Sequence, residues 1–149
     1  MLNENEAKKE KKLPDMKIVL EAWKLEEHTM TITSSEKRFP KKYRYSLCTK
    51  IQNTTLEIAC SLLEANEIDL RDRERRKERF DFQNTVMRKC KVLMHLIELS
   101  SRLKIISYDS FEYWARMANN IKNMCAKWQM SDLTRIKNID NNINKGGGL

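Results

Sequence analysis

Ten residues from Arg71 to Phe80, RDRERRKERF, carry six basic and three acidic side chains and close on an aromatic. A guanidinium holds a phosphate through two parallel N–H···O bonds, so arginine at this density points first to anion recognition. Wound as a helix, the stretch puts Arg71, Arg75 and Arg79 on one stripe, and Asp72 and Arg76 form an acid-first i,i+4 pair contributing roughly 0.3 kcal/mol. Arg88, Lys89 and Lys91 continue the positive character, and Lys41, Lys42 and Arg44 form a second basic group. These ten residues, Lys41, Lys42, Arg44, Arg71, Arg75, Arg76, Arg79, Arg88, Lys89 and Lys91, are the candidate phosphate contacts. One limit follows from periodicity. The apolar face of the helix after Phe80, extended backwards, places Arg76 and Arg79 nearly in line with Met87 and Cys90. Arginines cannot sit in a core unpaired, so they must leave the bundle or find acids. The expectation is that packing begins near Phe80 and that the run is an exposed extension.

Other chemistry has no such signal. No nucleophile–base pair, HExxH motif or glycine-rich phosphate loop is present, so no catalytic residue and no cofactor is expected. Cys48, Cys60, Cys90 and Cys125 are scattered without metal-ligand spacing and read as small core residues. His28 and His95 have no partner at helical spacing. Trp23, Trp114 and Trp128, with Phe39 and Phe111, read as core and edge anchors rather than stacking platforms for bases. A binding or accessory protein is expected, not an enzyme.

The elements that must position these groups are helices. In 149 residues all three glycines fall in the closing GGGL, and the two prolines are Pro14 and Pro40, so tight β-turns lack their usual residues. Ile18, Ala22, Leu25, Thr29 and Ile32 make one stripe from Met16 to Thr33, opened by Pro14-Asp15. Pro40 suits the first turn of a second helix, with Phe39 packing back on it and Leu47, Ile51, Thr54, Ile58, Leu62 and Ala65 inward. Cys48, Thr55, Ala59 and Leu63 flank that stripe. Asn66 is expected to close the helix in a left-handed conformation. A third helix carries Val86, Met87, Cys90, Leu93, Met94 and Ile97. A fourth, capped by Ser107 or Asp109, carries Phe111, Ala115, Ala118, Ile121, Cys125 and Trp128. The predicted fold is all-α: an antiparallel up-down four-helix bundle over 15–130, with a basic flexible segment at 1–14 and a polar, disordered tail at 131–149.

Lys and Arg outnumber Asp and Glu 29 to 21, a net charge of +8, which makes nucleic acid the first partner to consider. The absence of a membrane-length apolar run or a signal-peptide pattern predicts a cytoplasmic protein without membrane association.

Three stretches carry a resemblance. RFPKKYRYSL resembles an FPKxxRYxL signature that opens helix 2, LLEAN resembles the close of that helix, and LKIISYDSFEYWARMANNIKNMCAKW resembles the corner between helices 3 and 4 with the final helix. Together they are similar to the four-helix-bundle family that includes the accessory variability determinant of diversity-generating retroelements and the proteins encoded by intervening sequences in bacterial 23S ribosomal RNA genes. The likeness spans about residues 16–130. Its matching positions are Phe39, Pro40, Lys41, Arg44, Tyr45 and Leu47, then Glu64, Ala65 and Asn66, and later Leu103, Phe111, Trp114, Ile121, Met124 and Trp128. Ala126 and Lys127 stand where the family often has a Gly-Gly pair, and the arginine run lies in a connection that varies among relatives.

For retroelement members the resemblance implies a non-catalytic homopentamer of basic bundles. Such a protein binds nucleic acid and associates with the element's reverse transcriptase and template RNA, or with cDNA or an RNA–DNA hybrid, during mutagenic cDNA synthesis. The intervening-sequence branch implies the same fold as an interaction or structural module without a direct nucleic-acid role. Lys41 and Arg44 oppose the dipole of the helix they open, so either a phosphate contact or an ion pair to a neighbouring helix would account for them. Tyr43, Leu56, Val92 and Tyr113 lie off the main stripes and are candidates for an intersubunit face.

Overall fold

The computed structural model describes residues 14–146, with side chains from residue 17. The basic segment expected at 1–14 falls outside them but for Pro14, as do the last three residues. Four α-helices account for most of the described chain: α1 (Pro14–Thr33), α2 (Thr49–Glu67), α3 (Arg76–Arg102) and α4 (Tyr108–Gly146), with no strand among the described residues. None is long and apolar enough to cross a membrane.

The predicted stripes form the core. Ile18, Ala22, Leu25 and Ile32 of α1 meet Ile51, Ile58, Leu62 and Ala65 of α2, Val86, Cys90, Leu93 and Ile97 of α3, and Trp114, Ala118, Ile121 and Cys125 of α4. Cross-helix hydrogen bonds give the directions. Gln52 Nε2 donates to Thr33 Oγ1 at 2.9 Å, and one helical step along, Thr55 Oγ1 lies 3.5 Å from Thr29 Oγ1, so α1 and α2 run antiparallel. Arg79–Asp132 and the Cys125 Sγ–H to Gln83 carbonyl bond make α3 and α4 antiparallel in the same way. Each helix packs on its neighbours in sequence, and α1 packs on α4. The arrangement is consistent with an up-down bundle.

Helix ends follow local chemistry. Pro40 precedes a 3₁₀ turn, Lys41–Tyr43, and a wider π turn, Arg44–Cys48, before α2 settles into α geometry. Phe39 is buried against the edge of Trp114, ring centres 6.3 Å apart. Ser107 caps α4, its Oγ accepting the Ser110 N–H at 3.2 Å. The end of α3 is a Schellman turn made without glycine: the Ile105 N–H reaches the Ser100 carbonyl and the Lys104 N–H the Ser101 carbonyl, both at 2.9 Å, with Lys104 at φ 61°.

Four expectations are corrected. First, 131–146 is no disordered tail; it continues α4 without a break, because Asp132 and Asp140 tie it to α3. Second, the packed part of α3 begins before Phe80, since Arg79 is already buried in a helix that starts at Arg76. Third, α2 closes without a left-handed Asn66; Ile68 follows in extended backbone, its N–H bonded to the Ala65 carbonyl. Fourth, Cys60, Leu63 and Trp23 are exposed rather than core residues, since each lies on the outward side of its helix.

Candidate nucleic-acid interface

The arginine run sits where the α2–α3 connection meets the far part of α4, and nearly all its charge is spent within the molecule. Arg79 is 4 % exposed and Asp132 fully buried. Arg79 Nε and Nη2 donate to the two Asp132 oxygens at 2.8 and 2.9 Å, and its Nη1 donates to the Ile68 and Ala65 carbonyls at 2.7 and 3.3 Å. One guanidinium thus neutralises a buried carboxylate and satisfies the open carbonyls at the C-terminal end of α2, where the helix dipole favours a cation. The Trp128 ring lies 4.9 Å beneath it. Gln83 Nε2 donates to Asp132 at 2.7 Å, and Arg135 Nη1 reaches the same carboxylate at 3.4 Å.

Around this buried pair lies a more exposed set. Arg76 forms two 3.1 Å bonds to Asp140 and a 2.6 Å bond from Nε to the Leu70 carbonyl, while Arg73 approaches Asp140 at 3.3 Å. Arg71 clamps Asp69, Arg75 holds Glu78, and Lys77 holds Asp81. The Arg71 bonds pull the Asp69 carboxyl down to about 2. Arg76 and then Arg73 lower Asp140 likewise, and Arg75 lowers Glu78. The six cations of the run face its own three acids plus Asp69, Asp81, Asp132 and Asp140, seven carboxylates in all. The run is therefore not the source of the chain's excess positive charge. The expected exposed extension is corrected for Arg76 and Arg79, which point inward, as the projected face requires, and find acids there, while Arg71–Arg75 and Lys77 are exposed as expected.

The other candidates divide. Arg44 and Lys41 both turn to Glu36, at 3.1 and 3.9 Å; the ion pair is thus with the α1–α2 connection and not with the neighbouring helix that the ion-pair alternative expects. Lys89 is paired with Glu57 across the α2–α3 seam at 3.4 Å. Lys42 is exposed, with its ammonium 5.1 Å from the Tyr43 ring centre, and Lys91 is exposed without an ion pair among the described residues. Arg88 is also exposed, its nearest polar contact the Thr85 hydroxyl at 3.4 Å.

Arg88, Lys42 and Lys91 belong to a larger basic surface that no single sequence motif marks. Helical steps of about 100° per residue place Lys91 toward the side of α3 that meets α4, together with Asn84, whose carbonyl oxygen accepts from Gln129 Nε2 at 2.9 Å, and place Arg88 next to them on the outer face of α3. Lys122 of α4 faces the same seam, close enough to Cys90 for its charge to oppose the burial that pushes that thiol up to about 12. Arg116 lies on the exposed outer side of α4. At the end of the molecule where the α1–α2 and α3–α4 connections meet, Lys37, Arg38 and Lys104 add exposed cations without ion pairs among the described residues. The α1–α2 connection from Glu36 to Arg44 holds five bases and one acid. The sequence signal that could have found this surface is the pairing of helical wheels, because its bases come from separate short groups, Lys37–Lys42 and Arg88–Lys91, and from the isolated Lys104, Arg116 and Lys122.

The arrangement offers cations and amide groups along a helix seam, the pattern that follows a phosphate backbone. No group of His, Cys, Asp or Glu among the described residues is placed to hold a metal ion. No protein-family model matches the chain, and no curated protein or solved structure does.

Proposed function

We propose that this chain is a nucleic-acid-binding accessory protein without catalytic activity, built as an up-down four-helix bundle and working beside a retroelement reverse transcriptase on its template RNA, in mutagenic cDNA synthesis. The retroelement part rests on the resemblance of RFPKKYRYSL, LLEAN and the α3–α4 corner to the accessory variability determinants, and it carries with it the expected homopentamer. One observation supports nucleic-acid binding independently. Once every ion pair among the described residues is assigned, free positive charge remains along the α3–α4 seam at Lys91 and Lys122, on the adjoining outer face of α3 at Arg88, and at the end of the bundle at Lys37, Arg38, Lys42 and Lys104. Free cations release counterions when they meet phosphates; cations already held by carboxylates contribute little.

RNA binding followed by anisotropy across a salt series tests this. Affinity falls steeply with salt, and Arg88→Glu with Lys91→Glu weakens it at every salt concentration. Binding that is absent, insensitive to salt or unaffected by that pair of changes refutes it.

A second reading has one observation in its favour. Six of the ten candidate residues outside Lys42, Arg88, Lys91 and the weakly paired Lys41 are held by carboxylates. That is what a structural or protein-interaction bundle of the intervening-sequence kind would need. Co-purification with a protein partner that survives nuclease treatment, with no RNA affinity in the purified chain, favours it.

A further inference from the structure

The seam opposite the basic one has the reverse character. Gln52 and Thr33 mark where α1 and α2 meet. Helical steps of about 100° place Trp23 just outside that line on α1, and Leu56 and Leu63 just outside it on α2. The antiparallel register set by Thr29–Thr55 and Thr33–Gln52 brings Trp23 level with the turn preceding Leu63. Trp23 is 48 % exposed, Leu63 43 %, Leu56 39 %, and Leu20 continues the strip at 43 %. Four large apolar side chains thus line one seam in open solvent, while neighbouring side chains of the same helices are fully buried.

The charge around the strip is acidic and unneutralised. Glu26 and Glu27 on α1, and Glu67 at the end of α2, have no ion pair among the described residues, whereas Glu64 lies on the α3 side of α2, near Arg75. The nearby base Lys24 is held by Glu21 at 3.2 Å. Lys17 turns to the α4 side, where it lines a recess with Asn120 and Asn123. Phosphates would be repelled here. A two-fold pairing of two copies through this seam would set the same carboxylates against one another. The basic α3–α4 side of another copy offers Arg88, Lys91, Asn84 and Gln129, which cannot cover leucines.

We propose that the α1–α2 seam docks a basic amphipathic helix of a different polypeptide, whose aliphatic side chains cover Trp23, Leu56 and Leu63 while its lysines or arginines meet Glu26, Glu27 and Glu67. Helix-in-groove recognition uses this combination of spaced apolar anchors and a rim of opposite charge. The assignment is independent of nucleic-acid binding, which uses the opposite side of the molecule.

The probe is a labelled peptide with leucines at three- and four-residue spacing and lysines elsewhere, compared with a scrambled peptide and one carrying glutamates for the lysines. Trp114 and Trp128 are buried, so acrylamide quenching of the intact chain reports mainly Trp23. The amphipathic lysine peptide binds and shields Trp23 from quenching, the scrambled peptide binds at least about tenfold more weakly, and the glutamate peptide does not bind. Leu56→Lys with Leu63→Lys lowers affinity about tenfold or more. Circular dichroism checks the fold of that variant, and Glu26→Gln with Glu27→Gln, which adds no charge, weakens binding without touching the apolar strip. Equal binding of the scrambled peptide, unchanged affinity in both variants, or a Trp23 that stays open to quencher overturns the proposal. So does self-association in light scattering that Leu63→Lys abolishes, because a second copy then occupies the seam.

Discussion

Arg79 and Asp132 are 53 residues apart in sequence and meet in the interior. Their pairing is costly to form, because both ions leave water, and costlier to break, because the buried Asp132 would then keep only the longer, 3.4 Å contact from half-exposed Arg135. Arg79→Met should therefore destabilise the protein by about 3–5 kcal/mol, measured by urea unfolding. Joining it to Asp132→Leu should restore much of that loss, since removing both charges removes the desolvation cost as well. A single substitution with an effect under about 1 kcal/mol would show that water or Arg135 takes over the pairing. The need for this contact was legible in the sequence, because the apolar face of α3 runs straight through Arg79. Its partner was not: Asp132 lies in a polar, asparagine-rich stretch whose composition gives no sign of burial.

The last third of α4 is the element that sequence reading missed. Apart from half-buried Ile136 and Ile139, its apolar residues from Leu133 onward are exposed and the rest are mostly polar, and composition alone assigns such a segment to disorder. What orders it is tertiary: Asp140 held by Arg76 and Arg73, one turn and more beyond the buried pair. Because those arginines lower the Asp140 carboxyl, their contribution is fully present above the ordinary carboxylate range and is lost as the pH falls through the lowered value. Amide exchange in 133–146 should accelerate in acid before the rest of α4 does, and Asp140→Asn should produce the same fraying at neutral pH. Uniform protection along α4 in that variant would contradict the assigned role. The cores of all four helices, by contrast, were legible from three- and four-residue spacing, since each stripe is wide enough to exclude other periods. The α3–α4 corner shows a further limit, for Lys104 takes the left-handed position that glycine normally fills. Lys104→Gly should raise stability by about 1 kcal/mol in thermal or urea melts by relieving that conformation; no gain would mean that its side chain offsets the strain.

At the scale of the molecule the charge is sorted by face, a property that a net charge of +8 conceals. Among the described residues the densest basic stretch is neutralised from within, while sparser bases on α3, α4 and the α1–α2 connection stay open, and carboxylates without an ion pair gather on α1 and α2. Sequence density predicted where arginines are numerous. Only the packing tells which of them still have hydrogen bonds and charge to offer a ligand, because the neutralising acids come from sites up to 67 residues away. This sorting makes the central claim open to one comparison: RNA affinity over a salt series for the intact chain, for Arg88→Glu with Lys91→Glu, and for Arg71→Glu with Arg75→Glu. The account predicts that the first pair of changes costs about tenfold or more and flattens the salt dependence, while the second, in residues already held by Asp69 and Glu78, costs much less. Equal losses from both pairs, or a larger loss from the second, would contradict it.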